Sequence, residues 1–342
     1  MWRIPPDWER GGDSRCVGSP TPRARTGASG ARSALRYTAA TVSTAVIVFD
    51  FDPILRLGDL AVPLETAALG VTILLVLLLA ARIGTRVPAN DPSDAGDAAP
   101  RGLRADDLLF VVLGILPGAV VGGRLGYVLL HLDYYRIDPG AIVDPRQGSL
   151  ELSLAVAGGA LTGAYVASLL DGAVGRWLHA AALPVLLALG LGKLAMALGG
   201  TGQGQPTNAE WATAYVGGHS WASLAPEIPS HPSQLYEGGV ALGVLVLLVI
   251  LLAGGAFASK DGRLFLAGVA LWSLGRAVVA GTWRDAEVLG PLRAGQLLAL
   301  GLALVALTLA AAAWRSARRG RAVPAASRDA VGWPGRETPP RF

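Results

Sequence analysis

Seven apolar stretches divide this 342-residue chain, and each is about as long as a membrane-spanning helix. A helix needs roughly 20 apolar residues to cross a bilayer core of about 30 Å, and these stretches carry few or no charges. The pattern therefore predicts an all-α fold, a polytopic membrane bundle of about seven transmembrane helices. The predicted spans are 62–81, 107–130, 152–170, 178–199, 236–256, 263–282 and 295–314.

Polar segments flank the predicted membrane domain, residues 45–314. Residues 1–44 are rich in Arg, Pro and Gly and show no apolar period, so we expect a disordered tail. They lack the continuous apolar core of a signal peptide. Residues 315–342 are basic and Pro-rich, and we expect a disordered cytoplasmic tail there.

The distribution of Lys and Arg between the loops predicts the orientation. Arg residues are frequent in the loop 82–106 and after the last span, whereas residues 200–235 contain no Lys or Arg. Because positively charged loops remain in the cytoplasm, the C-terminus is predicted inside. An odd number of spans then places the N-terminus and the 200–235 loop outside.

Composition supports a membrane protein and narrows its chemistry. The chain is 52% hydrophobic and 16% charged, with a mean hydropathy of +0.46, which is too apolar for a soluble domain of this length. The net charge of +4 is carried mostly by the tails, so no nucleic-acid partner is expected. A single cysteine, Cys16, excludes an internal disulfide and a cysteine-based metal site.

The sequence Ser-His-Pro-Ser-Gln-Leu-Tyr-Glu at positions 230–237 concentrates polar side chains directly before an apolar span. Its proline fits the first turn of a helix, which predicts Ser230 or His231 as the N-cap. Gln234 and Glu237 are three residues apart and should share a helical face. The cluster predicts either a polar site at the mouth of a membrane helix or an interfacial cap with a tyrosine anchor.

Three cations, Arg124, Lys193 and Arg276, lie well inside predicted spans. Ionisable groups in a membrane are costly, so they indicate function. Counting about 1.5 Å per residue from the cytoplasmic end, all three reach a similar depth in the outer half. Together they suit an anionic headgroup, since Arg binds phosphate oxygens in pairs. The alternative is a structural one, in which they extend to the interface or form ion pairs.

These segments resemble the bacterial prolipoprotein diacylglyceryl transferases. The sequence at positions 231–237 is similar to the most recognisable motif of that family, and Gly123-Arg-Leu-Gly-Tyr-Val128 is similar to its second-span motif. A Gly-Gly pair in span three, Gly192-Lys193-Leu194 in span four, and the pair Arg276 and Arg284 then follow in the family's order. The resemblance covers roughly residues 45–314.

The resemblance implies an enzyme in the bacterial plasma membrane that transfers the diacylglyceryl group of phosphatidylglycerol to the lipobox cysteine of a prolipoprotein. Its implied partners are phosphatidylglycerol, prolipoprotein signal peptides and the lipid bilayer, and it implies no metal or cofactor. Arg124 and Arg276 would neutralise the phosphate as the carbon–oxygen bond breaks. The candidate catalytic residues are His231, Glu237 and Arg276. The candidate substrate-binding residues are Arg124, Tyr127, Lys193, Gln234, Tyr236 and Arg284.

The chain also departs from the family pattern. The His that usually precedes the span-three Gly-Gly is replaced by Ala157, and the span-four segment 193–205 contains no carboxylate. Two family tyrosines align with Glu65 and Trp272. The base that ionises the acceptor thiol would then be His231, Glu65 or Glu237, or the thiol would ionise in the field of the cations.

Three other functions are compatible with the sequence. A related transferase could use another phospholipid-derived group or acceptor. A non-catalytic relative could bind anionic phospholipid or a lipoprotein precursor without turnover. A transporter would require an internal repeat with interrupted helices, and the sequence shows no clear repeat.

Overall fold

The computed structural model describes residues 46–88, 103–144, 146–170, 173–218 and 220–321. Within these ranges seven helices are long and apolar enough to cross a membrane, which confirms the predicted polytopic bundle. The chain is therefore a multi-pass membrane protein. A short helix, α3, lies between the second and third of the seven. The helices are α1 Leu64–Gly84, α2 Ala105–Leu130, α3 Leu132–Ile137, α4 Leu152–Leu169, α5 Val174–Ala197, α6 Ser233–Ala253, α7 Arg263–Ala280 and α8 Ala294–Arg321.

The predicted spans agree with these helices within a few residues at most ends. The largest difference is α8, which continues to Arg321, whereas the predicted span ends at 314. Helix α3 and a 3₁₀ turn over Pro139–Ile142 are too short to give an apolar period, and the sequence pattern did not predict them. The predicted tail 1–44, with Cys16, and residues 322–342 of the second tail lie outside the described residues.

The predicted N-cap of α6 is wrong. Pro232 occupies that position, and no side chain caps the helix. Ser230 instead exchanges two backbone hydrogen bonds with Thr213, at 2.9 and 3.0 Å, and the His231 amide donates to the Gln205 carbonyl at 2.9 Å. These bonds tie both residues to the segment 205–213, ahead of the N-cap position of the helix.

Short strands at the ends of the helices connect distant parts of the chain. Strand β1 (Ile47–Phe49) pairs in parallel with β4 (Thr213–Tyr215). Strands β2 (Ile54–Leu57) and β3 (Leu60–Pro63) form a hairpin that leads into α1. A second hairpin, β5 (Glu287–Leu289) and β6 (Leu292–Arg293), leads into α8. Pairing β1 with β4 attaches the start of the described chain to the loop between α5 and α6.

Glycine allows α2 and α4 to pack with their backbones in contact. A Cβ atom on Gly122 would collide with the Leu154 carbonyl oxygen, and one on Gly158 would collide with the Gly118 carbonyl oxygen. Small residues permit this approach between membrane helices, where van der Waals packing drives association. The glycines of the second and third spans therefore hold α2 against the start of α4.

The most buried part of the bundle lies between α5, α6 and α7. Leu186, Leu248 and Trp272 form one core there, and the last two are completely buried. Helix α7 is the most enclosed of the seven spans. This central position brings polar residues near the end of α7 against neighbours from several other helices.

Candidate active site

A polar cavity of about 350 Å³ opens at one end of the bundle. The last turns of α2, α5 and α7 and the first turns of α4 and α6 surround it, because antiparallel neighbours bring these ends together. The cavity contains three cationic side chains and three carboxyl groups. These groups are Lys193, Arg276, Arg284, Glu151, Glu237 and Asp285.

Arg276 lies at the centre of a buried ionic network. Its Nη1 donates to Glu237 Oε1, its Nη2 donates to Glu151 Oε1 at 3.1 Å, and its Nε donates to Ser153 Oγ at 3.1 Å. Both carboxylates and the arginine side chain are at most 3% exposed. A buried charge is tolerated only with such complete pairing, since removal from water is costly for each ion.

Lys193 joins the network from α5. Its Nζ lies 3.0 Å from Glu237 Oε2, so Glu237 contacts a different cation with each oxygen. The ring of Trp283 covers both cations, with its centroid 4.4 Å from the Arg276 guanidinium and 5.5 Å from Lys193 Nζ. The aromatic face adds cation–π attraction and excludes water from one side.

Sequence reasoning missed Glu151, the second carboxylate of the network. This residue is the N-cap of α4, where its two oxygens accept bonds from the Ser153 and Leu154 amides at 2.8 and 2.7 Å. An acidic residue directly before an apolar span was the available signal, because acceptors are favoured at helix N-caps. Its pairing with Arg276 is not readable from the sequence.

Arg284 also lines the cavity and contacts neutral groups. Its Nε donates to the Gly204 carbonyl at 2.6 Å, and its Nη2 lies 3.3 Å from Ser230 Oγ. Among the described residues no carboxylate forms an ion pair with this guanidinium. Burial raises the pKa of the neighbouring Asp285 carboxyl, although nearby His131 and arginines act in the opposite direction.

Gln234 lies on the same face of α6 as Glu237, as expected for residues three apart, and both line the cavity. The Gln234 amide nitrogen donates to the Tyr215 hydroxyl at 2.8 Å. Burial raises the pKa of Tyr215 to about 12, so the phenol stays neutral. This bond joins β4 to the first turn of α6 beside the ionic network.

Arg124 does not join the other two intramembrane cations. Its guanidinium donates to the carbonyl oxygens of Ala141, Ile142, Asp144 and Gln147, after α3. Arg124 does not line the polar cavity, whereas Tyr127, about one turn further along α2, does. The expectation that all three cations gather in one pocket is therefore wrong for Arg124, because the loop after α3 saturates its donors.

His231 and Tyr236 also lie outside the polar cavity. Tyr236 follows Gln234 by two residues and precedes Glu237, so it points about 100° away from Glu237 around the helix. Its hydroxyl accepts a bond from Trp211 Nε1 at 2.6 Å and lies 3.4 Å from His231 Nδ1. These two motif residues form a separate contact beside the site.

The structure also locates the three positions that depart from the family pattern. Ala157 lines an apolar cavity between α4, α7 and α8 and does not line the polar one. Glu65 accepts a bond from Thr201 Oγ1 at 2.7 Å and lies outside the polar cavity. Trp272 is completely buried beneath Arg276, with its ring centroid 5.7 Å from the guanidinium.

Comparison with known proteins identifies the family of this bundle. Residues 57–312 match the family described as prolipoprotein diacylglyceryl transferase. The chain belongs to that family. This match covers the first six spans completely and α8 as far as residue 312, and it confirms the resemblance stated from the motifs.

Curated relatives from several bacteria have the name phosphatidylglycerol–prolipoprotein diacylglyceryl transferase. The one from Geobacter sulfurreducens is 33% identical over 216 residues, or 61% of this chain and 78% of the relative. The one from Rhodopseudomonas palustris is 28% identical over 255 residues, or 68% and 79%. The one from Bacillus cereus strain G9842 is 26% identical over 263 residues, or 74% and 88%.

Proposed function

We propose that this protein transfers the diacylglyceryl group of phosphatidylglycerol to the lipobox cysteine of a prolipoprotein, in the bacterial plasma membrane. The observation that carries the proposal is the ionic network of Glu237, Arg276, Lys193 and Glu151 in a cavity inside a membrane bundle of this family. Ionisable groups held at membrane depth at this cost indicate function.

The cavity suits an anionic phosphate ester. Arg276 already uses its donors on two carboxylates and Ser153, so it holds Glu237 and Glu151 in place. Lys193 and Arg284 face the same space, and Arg284 has no carboxylate partner among the described residues. These two side chains are therefore the direct ligands that we assign to the phosphate, with Arg276 adding to the positive field.

Apolar space adjoins the polar cavity, as a lipid substrate requires. A cavity of about 230 Å³, lined almost entirely by apolar residues of α2, α4, α5 and α7, shares Leu152 with the polar cavity. Acyl chains cost little to place there, since the walls are already apolar. The headgroup would remain beside the cations, while the hydrocarbon stays out of water.

The orientation predicted by the positive-inside rule would open the cavity to the outer leaflet. The loop 200–235, which contains no Lys or Arg, contributes Gln203 and Ser223 to the cavity wall. A segment without cations is typical of the non-cytoplasmic side. Secreted prolipoproteins present their cysteine on that side, so both substrates would reach the same end of the bundle.

The reaction is a displacement at carbon. The acceptor sulfur forms a bond with the terminal glyceryl carbon of the diacylglyceryl group, and the bond from that carbon to the phosphate oxygen breaks. The electron pair of the broken bond stays on oxygen, so glycerol phosphate leaves with one more negative charge than the phosphodiester had. Lys193 and Arg284 would stabilise this developing charge in a site of low dielectric constant.

A transfer assay tests the proposal. Purified protein in detergent is incubated with acyl-labelled phosphatidylglycerol and a lipobox peptide, beside Arg276→Ala and the matched control Arg263→Ala. Arg263 is at the other end of α7 and pairs with Asp261, away from the cavity. We expect label on the peptide cysteine with the wild type and the control, and a loss of at least about 100-fold with Arg276→Ala, the magnitude seen when transition-state charge loses its support.

One observation favours the non-catalytic alternative. The position of the usual family His is Ala157, whose neighbours are apolar, so this chain lacks an imidazole at that place. A protein that binds phosphatidylglycerol in this assay but transfers no label would support that alternative. Failure to bind the lipid at all would contradict both functions.

A further inference from the structure

Histidine is a natural candidate for the base, because an imidazole is well suited to take a proton near neutral pH. The structure describes three of them. His179 is buried in α5, and His231 contacts Tyr236 outside the polar cavity. Only His131, of these three, lines the cavity that contains Glu237 and Arg276.

His131 follows the last residue of α2, where its ring is held in a fixed orientation. Its Nδ1 lies 2.9 Å from the Tyr127 carbonyl oxygen, and its ring stacks on the Tyr127 ring with centroids 4.1 Å apart. A carbonyl oxygen can only accept, so we infer that Nδ1 carries the hydrogen of the neutral ring. The free lone pair is then on Nε2.

The two carboxylates of the ionic network already have partners. Glu237 contacts Lys193 and Arg276, and Glu151 contacts Arg276 and two amides of α4. Neither carboxylate can therefore accept a proton from a thiol without losing one of these partners. His131 is exposed at the mouth of the cavity, where an incoming peptide would meet it before the ionic network.

We propose that His131 is the general base that ionises the acceptor thiol, a role that rests on the proposed transferase function. The thiol proton moves to His131 Nε2, and the thiolate sulfur attacks the glyceryl carbon as the carbon–oxygen bond breaks. The electron pair of that bond stays on the phosphate oxygen. The imidazolium then returns its proton to the departing glycerol phosphate or to water, which restores the neutral ring.

Titratable and charged groups face this histidine from several elements. Tyr127 packs against it from α2, and Asp285 interacts with it electrostatically from the loop after α7. The same cavity is also lined by Glu151, Lys193, Glu237, Arg276 and Arg284. An ionised Asp285 would stabilise the imidazolium that forms during the reaction, as an acidic partner does for other catalytic imidazoles.

The test compares wild type, His131→Gln, His131→Ala and His231→Gln in the transfer assay. We expect both His131 variants to lose about 10²- to 10⁴-fold in kcat, the usual contribution of a general base, while phosphatidylglycerol binding is retained. If an imidazole is the base, the wild-type rate should fall toward low pH as the ring takes up a proton. The His131 variants should lack this fall in rate, and His231→Gln should retain it.

A selenocysteine peptide distinguishes a chemical role from a structural one. A selenol ionises without a base, so its transfer by His131→Ala should approach the wild-type rate, whereas a misfolded site would stay inactive. If the wild type is active and His131→Ala transfers to the thiol at the full rate with an unchanged pH profile, the inference fails while the proposed function stands. Loss of the fall in rate toward low pH in His231→Gln and not in His131→Gln would also overturn it. No transfer by wild type would instead overturn the proposed function, and the inference with it.

Discussion

Glu237 contacts both cations at the centre of the bundle, so its neutralisation has a calculable cost. In Glu237→Gln, Arg276 keeps Glu151 but Lys193 loses its anion, and the two cations face each other across a neutral amide. Breaking a buried ion pair by removing one partner costs about 3–5 kcal/mol. Because 1 kcal/mol shifts Tm by about 2–4 °C in a domain of 150–250 residues, the expected loss is on the order of 6–20 °C.

The effect of Lys193→Met on Tm should change sign when Glu237 is replaced. Lys193→Met alone should lower Tm, because Glu237 then loses one of its two cations. In the Glu237→Gln background the same change should raise Tm, because it removes the unpaired cation and leaves an apolar side chain of similar length. Such a reversal measures the coupling between the two residues directly, as a double-mutant cycle requires.

The assay is thermal unfolding of the four purified proteins in one detergent, at one scan rate, since membrane-protein unfolding is often irreversible. Glu287→Gln is the matched control, because Glu287 is exposed in β5 and should change stability by less than about 0.5 kcal/mol. If Lys193→Met lowers Tm equally in both backgrounds, or if Glu237→Gln behaves like the control, the ionic network does not stabilise the bundle as argued.

Two further predictions concern the packing and the loop around the site. Gly122→Ala should lower Tm because its Cβ meets the Leu154 carbonyl, whereas Gly239→Ala, with open space at that position, should not. Equal effects in a Tm measurement would contradict the α2–α4 contact. Burial raises the pKa of Tyr215 to about 12, above its usual 10.0, so the folded state keeps a proton that the unfolded chain loses. Stability should therefore fall from about pH 10 to pH 12, and Tyr215→Phe should remove that fall in Tm against pH.

Several features of the site were predictable because they depend on local spacing. Gln234 and Glu237 were expected to share a face, and both line the cavity, because three residues along a helix nearly complete a turn. The same geometry turns Tyr236 away, although it belongs to the same motif. A motif written as a string of letters does not separate the residues that face the cavity from those that face elsewhere.

Other features depend on contacts between distant positions. Arg124 and Arg276 look alike in the sequence, since each is a single arginine within an apolar span. The loop after α3 supplies four carbonyl oxygens to Arg124, whereas Glu237 and Glu151, 39 and 125 residues away, surround Arg276. Nothing local to either arginine indicates these different partners.

The sequence alone determined the seven spans and the family, because a bilayer requires about 20 apolar residues for each crossing and the motifs stand in order along the chain. Only the tertiary structure decided which charged groups meet. Glu151 enters the network, Arg124 leaves it, and His131 takes a place at the cavity that no motif indicated. The physical reason is that hydropathy fixes where a helix lies in the membrane, whereas ion pairing depends on how helices rotate and pack against each other.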